Sequence, residues 1–178
     1  MRFICSIFCL IMLISCKYKE KVVLKEDFIF TTGGDVKVKS FKFIDDTVFV
    51  AENFPDNDYV YYFLLNDEQK NKINGFLDSL QFKEFEDEYY QENIVDAGSY
   101  QFELPKISKK IYVYGFYELN EIKDLNEFSD FLINFYESKM RWDLNNKVYY
   151  QGQEVYWNLD VDFGNIERFI EPEPYPFE

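Results

Sequence analysis

The segment VKVKSFKFI, then Asp45-Asp46, then TVFVAE, alternates apolar and polar residues on both sides of a two-residue break. A period of two marks a strand with one buried face, and so short a connection permits only antiparallel pairing. A turn at Asp45-Asp46 sets Phe43 opposite Val48 and Phe41 opposite Val50, all on one face of a half-buried hairpin. Just upstream, DFIFTT runs into Gly33-Gly34, a pair that accepts positive φ and predicts a second tight turn.

Further along, Asp58 to Leu65 (DYVYYFLL) is apolar at both parities and reads as a central strand. It ends where Asn66 and Gln69 form a capping-box pattern, after which Ile73, Phe76, Leu77 and Leu80 share one helical face. Asp124 and Glu127 repeat that start signal ahead of the stripe Leu125, Phe128, Leu132 and Phe135. Between the helices, GSYQFELP and KKIYVYGF alternate as strands around a loop with Pro105, and KVYY and EVYWNLDVDF flank Gly152 as late strands. Short turns between strands and two helices predict an α+β fold: an antiparallel sheet of about five to seven strands with both helices packed on one face. The expected organisation is a signal segment at 1–15, a tether at 16–26, the α+β domain at 27–150 and a C-terminal extension at 151–178.

At the other end of the chain, Arg2 precedes a largely apolar run from Phe3 to Ile14, too short for a spanning helix of roughly 20 residues. The run closes on Leu13-Ile14-Ser15-Cys16, followed by Lys17. This arrangement resembles the bacterial lipoprotein signal, a Leu, a variable residue, a small residue and the cysteine to be modified. The resemblance implies diacylglyceryl transfer to the Cys16 thiol, cleavage between Ser15 and Cys16, and acylation of the freed amine with a palmitate-type chain. Two or three acyl chains hold a protein to a bilayer firmly where one holds it marginally, at about 0.8 kcal/mol per buried methylene. Lys17 stands where some bacteria use Asp to retain lipoproteins at the inner membrane, so the resemblance favours the outer membrane where there is one. From Phe28 to Lys139 the order of elements, the LNDEQ helix entry and Asp96 before the next strand are similar to small Bacteroidota lipoproteins of unknown function. The cysteine-containing start of one such group is missing, and no activity follows from the resemblance.

Loss of residues 1–15 leaves 178 − 15 = 163 residues, enough for one domain with its own core. Net charge passes from −14 to −15 with the removal of Arg2, which opposes binding to nucleic acid or anionic lipid. Cys5 and Cys9 leave with the signal and Cys16 takes the lipid, so the remaining chain has neither thiol nor disulfide and is stabilised by burial alone. The chain has no His, which excludes the usual base near neutral pH, Ser-His and Cys-His nucleophiles, and the commonest zinc ligand.

Carboxylates remain. Glu84, Glu86, Asp87 and Glu88 crowd the stretch after the first helix, where a solvated face explains them better than a glycosidase pair. Asn53 to Asp58 lacks the glycine and closing glutamate of a calcium loop and reads as a turn; Asn158 to Gly164 has Phe163 where that loop needs glycine and reads as a strand with its acids outward. No cofactor or metal is called for. Tyr149, Tyr150, Tyr156 and Trp157 gather around Gly152 as the candidate binding surface, able to stack on sugar rings or anchor a protein partner, with core packing the competing use. The closing EPEPYPFE excludes helix and leaves either a disordered terminus or an extended strap in an aromatic groove. These features predict a non-catalytic, lipid-anchored binding or assembly component of the cell envelope, with an envelope protein or glycan as partner. A carboxylate-dependent glycan hydrolase and an inhibitor or immunity-type protein with a basic partner are the alternatives.

Overall fold

A computed structural model describes residues 21–34, 37–52, 59–92, 94, 97–115, 119–137, 140–142, 148–157 and 159–164. The hairpin at Asp45-Asp46 forms in the expected register: β2 (Lys37–Ile44) and β3 (Thr47–Glu52) pair with Phe43 opposite Val48 and Phe41 opposite Val50. Asp45 takes the left-handed conformation at the turn, with φ of 53°.

Gly33-Gly34 does not form the preceding turn. Strand β1 (Phe28–Gly34) runs through both glycines, which pair with Val38 and Lys37. Ring packing sets this register, because it brings Phe28 onto Phe43 with centroids 4.3 Å apart and Phe30 onto Phe41 at 6.0 Å. Strand β4 (Tyr59–Leu64) pairs with β3, and the capping box then opens helix α1 (Asp67–Ser79). Gln69 N donates to Asn66 Oδ1 at 3.0 Å while Asn66 N donates to Gln69 Oε1 at 2.7 Å.

After α1 come β5 (Glu88–Tyr90), β6 (Ser99–Leu104), β7 (Lys109–Tyr114) and helix α2 (Lys123–Glu137). Asp124 lies within the first turn of α2 rather than capping it, since a 3-10 turn at Asn120–Ile122 leads directly into the helix. Its negative charge there still complements the positive end of the helix dipole. The chain continues through β8 (Met140–Trp142), β9 (Val148–Tyr150), β10 (Gln153–Glu154) and β11 (Tyr156–Trp157).

The fold is α+β. Its large sheet has eight strands in the order β11-β4-β3-β2-β1-β6-β7-β5, and β8, β9 and β10 form a second, small sheet. Every pairing in the large sheet is antiparallel except that of β5 with β7. The parallel edge departs from the sequence expectation, because β5 is too short to leave a period in the sequence, whereas β11 lies within the expected late strand.

Both helices cover one face. Ile73 of α1 and Leu125, Phe128 and Leu132 of α2 join Phe28, Phe30, Phe43, Phe63 and Phe102 in one continuous core. Phe128 is its hub, 5.8 Å from Phe28, 4.7 Å from Phe76 and 5.1 Å from Phe102 between ring centroids. Full burial of each such ring stabilises the fold by about 1.5–3 kcal/mol.

The folded unit reaches past the expected boundaries at both ends. Leu24 is buried in the core, and Asn74 of α1 clasps the adjoining backbone, donating to Val23 O at 2.8 Å and accepting from Lys25 N at 2.9 Å. At the far end β11 joins the sheet beside β4 and Phe163 is buried, so the extension at 151–164 is part of the domain. Strand β4 is therefore next to an edge rather than central. Its apolar residues at both parities are explained by cover on two sides: Tyr61 and Phe63 face the helices, while Val60 packs against Phe163.

Candidate functional site

Side chains that point away from the helices line up in rows across the strands. Register alone places Tyr156, Tyr62, Phe49, Lys42, Ile29, Glu103 and Lys110 in one row. The next holds Val60, Ala51, Ser40, Thr31, Gln101, Tyr112 and Glu88, and a third holds Val38, Gly33, Ser99, Tyr114 and Tyr90. The middle row is small and hydroxylated at its centre, where Thr31 and Ser40 share a hydrogen bond of 2.9 Å.

Residues 159–164 cross this face as a strap. Leu159 N donates to Val60 O of β4 at 3.5 Å, Lys42 of β2 donates to the carbonyl of Asp162 at 2.5 Å, and Gly164 lies against Glu103 of β6. From β4 to β6 are four strand spacings of about 4.8 Å, and six extended residues of about 3.3 Å each cover that span. Leu159, Val161 and Phe163 pack downward on Phe49, Ala51 and Val60, while Asp160 and Asp162 are exposed. The acids point outward as the sequence predicts, but the segment runs across the strands instead of forming one. Gly164 has φ of +78°, and a Cβ there would stand 3.3 Å from Glu103 Oε2, so glycine permits the close approach.

Where the strap ends, a groove of about 620 Å³ opens between the β6–β7 hairpin and the start of β5. Its floor is a grid fixed by register: Gln101 opposite Tyr112, Glu103 opposite Lys110, and Glu88 beside Tyr112. Lys110 Nζ lies 3.0 Å from Glu103 Oε2, and Lys109 Nζ lies 2.6 Å from Asp87 Oδ1. Burial raises the pKa of the Tyr112 phenol, an effect partly opposed by its hydrogen bond with Ser99, so that burial keeps the phenol neutral.

Gln101 is the unusual member. Only 5% of it is exposed, it lines the groove, and its side-chain amide makes no hydrogen bond among the described residues. Its amide oxygen and nitrogen are not among the buried polar atoms left without a partner, so they open onto the groove, where solvent or a ligand can meet them.

Two other polar clusters are committed to the fold. Tyr61 donates to Glu52 Oε1 at 3.1 Å and bonds to Tyr136, which itself donates to Glu52. Burial raises the pKa of both phenols, Tyr61 further through Tyr136 and Tyr136 further through Glu52, so neither serves as a base or nucleophile near neutral pH. A hollow of about 600 Å³ also separates the start of α1 from α2. Its polar groups Asn66 and Gln69 are occupied by the capping box, and Gln69 Nε2 donates in addition to Tyr150 at 3.2 Å.

Of the four aromatics in the expected binding surface, the structure describes the side chains of Tyr150 and Tyr156, and they lie apart. Tyr150 is fully buried, stacked on Phe63 at 3.7 Å between centroids, and so belongs to the core. Tyr156 is 56% exposed and stacks on Tyr62 at 5.0 Å, at the sheet edge far from the groove. The side chains of Tyr149 and Trp157 lie outside the described residues, as do Cys16, the turn at 53–58 and the proline-rich tail. Of the acidic run, Asp87 and Glu88 line the groove, whereas Glu84 and Glu86 are exposed and are not among its lining residues. The groove itself was not legible in the sequence. Gln101 and Glu103 alternate with Tyr100, Phe102 and Leu104 as any outward-facing pair would, and the interior polar position is signalled only by the strap and the parallel strand that flank it.

Among the described residues no group of acids is arranged to hold a metal ion, and no helix is long and apolar enough to cross a membrane. Comparison of the chain with protein-family models, curated proteins and solved structures gives no match.

Proposed function

We propose that this protein is a lipid-anchored component of the bacterial cell envelope, held by acyl chains on Cys16, and that it works by binding rather than by catalysis. The observation that carries the reading is the order of Arg2, the apolar run to Ile14, and Leu13-Ile14-Ser15-Cys16 immediately ahead of the charged residues Lys17, Lys19 and Glu20. The folded unit begins close behind. Leu24 is fixed in the core, and the eight residues from Cys16 to Leu24 reach at most about 28 Å, which keeps the domain near the bilayer surface. The lack of His and of any Cys after Cys16, with the buried phenols kept neutral, supports a binding role. An envelope protein or glycan is the proposed partner, and the outer membrane the proposed location where the bacterium has one.

Mass spectrometry of the mature protein tests the anchor. The expected product begins at Cys16 and carries a diacylglyceryl thioether and an N-acyl chain; an intact Met1 or a bare Cys16 thiol refutes it. Cys16→Ser is expected to move the protein from the membrane to the soluble fraction.

One observation favours a second reading, carboxylate-dependent glycan hydrolysis: Glu88 and Glu103 project from the same face of the sheet into one groove. Release of new reducing ends from envelope glycan, abolished by both Glu88→Gln and Glu103→Gln, would establish it in place of simple binding.

A further inference from the structure

We infer that the groove between β5, β7 and β6 is a binding site for a neutral saccharide, with Gln101 as its central specificity-determining residue. This deepens the binding role proposed above by naming the site and the ligand class.

The argument starts from Gln101. Its amide is a donor and an acceptor held on a rigid strand, nine-tenths buried and without a hydrogen-bond partner among the described residues, at the floor of an open groove. A ligand that meets it must offer an acceptor and a donor close together. Adjacent sugar hydroxyls, or a hydroxyl beside an N-acetyl group, offer both.

The surrounding charges narrow the class. The groove carries three carboxylates, Asp87, Glu88 and Glu103, against two ammonium groups, Lys109 and Lys110. Each lysine is already paired, at 2.6 Å with Asp87 and at 3.0 Å with Glu103. The residual charge is negative, which repels phosphate or carboxylate ligands, while the carboxylate oxygens can accept from neutral hydroxyls and the neighbouring ammonium groups can donate to them. Size agrees, since about 620 Å³ falls within the range of ordinary small-ligand sites.

Aromatic surface completes the match. Tyr112 lies in the floor, and in the adjoining row, outside the residues that line the groove, Tyr114 and Tyr90 stack at 5.0 Å, with Tyr90 39% exposed. The C–H face of a pyranose packs on such rings while its hydroxyls turn toward the polar grid. Gly164 of the strap lies beside the Glu103 carboxylate, where a Cβ would stand 3.3 Å from Oε2.

The test uses the full mature protein in detergent micelles, titrated with N,N′-diacetylchitobiose and maltotriose as neutral probes, a galacturonate trisaccharide as the anionic probe and a lysine tripeptide as the cationic one. Amide NMR shifts centred on Gln101, Glu103 and Tyr112 with at least one neutral probe are expected, together with about a tenfold loss of affinity in Gln101→Leu. Glu103→Gln, which keeps the side-chain shape, is expected to weaken binding while leaving the melting temperature near that of the parent, so a folding defect in one variant does not decide the matter. Several results would overturn the inference: no shift with either neutral probe, binding confined to the anionic or cationic probe, neutral binding that Gln101→Leu leaves unchanged, or nuclear Overhauser contacts showing residues 165–178 of the chain itself seated against Gln101. Failure here leaves lipidation at Cys16 standing, and a bare Cys16 leaves the groove standing.

Discussion

The two faces of the large sheet are built from alternate residues of the same strands, yet they serve different ends. The helix-covered face is an unbroken aromatic and aliphatic layer centred on Phe28, Phe102 and Phe128. The opposite face has small and polar residues at its middle, Thr31, Ser40 and Gln101, and is crossed by a strap of six described residues. On the first face burial decides each residue. On the second, a strand residue such as Gln101 departs from what packing alone would select, and it does so beside a groove.

That contrast can be broken most directly at the hub of the covered face. Phe128→Ala is expected to lower unfolding free energy by about 3–5 kcal/mol in urea titration, because three neighbouring rings lose a partner and a cavity remains. A loss under about 1 kcal/mol would mean that the helices are not what holds the sheet.

Alkaline titration probes the same face by another route. Burial raises the folded-state pKa of Tyr61, Tyr136 and Tyr150 above the usual 10.0. Their contribution is fully present below that unfolded value and is lost as pH rises from there toward the folded values, because only the unfolded chain releases the protons. Stability should be level up to about pH 10 and then fall by as much as about 1.4 kcal/mol per pH unit for each phenol. Circular dichroism melts between pH 8 and pH 11, chosen to bracket the onset, check this; constant stability across them would contradict the burial of these hydroxyls.

The open face should respond less. Phe163→Ala removes the ring that pins the strap to Ala51 and Val60, and about 2 kcal/mol is expected, below the loss at Phe128 because this cluster is small. Faster hydrogen exchange confined to residues 159–164 would sharpen the distinction between strap and core; a loss equal to that of Phe128→Ala would erase it. Smallest of all, Tyr156→Ala at the exposed edge should change stability by under about 0.5 kcal/mol, checked by the shift in urea midpoint. A larger loss would show that the Tyr156–Tyr62 stack holds β11 to the sheet.

Local signals in the sequence led to the correct element wherever few residues sufficed to determine it. Asn66 and Gln69 satisfy one another across a single turn, and a two-residue turn leaves Phe43 one partner, Val48. Legibility failed where the deciding partner was distant. Gly33-Gly34 read as a turn because glycine tolerates one, but stacking of Phe28 on Phe43 fixes a register that keeps both glycines inside the strand pairing, Gly34 opposite Lys37. Tyr150 and Tyr156 read alike, as binding surface or as core, yet the two are separated by the break at Gly152, after which one chain segment serves the core and the next the edge.

The sequence by itself determined the α+β class, the hairpin register, both buried helical stripes and the absence of histidine and late-chain thiol chemistry, because each depends on residue type or on neighbours a few positions apart. Only the tertiary structure decided which outward-facing residues meet. Gln101, Tyr112 and Glu88 come from three strands, one of them parallel and only three residues long, and Gly164 approaches Glu103 from 61 positions away. The groove exists because long-range pairing and the strap bring these groups together, and no local pattern encodes a contact whose partners lie so far apart in the chain.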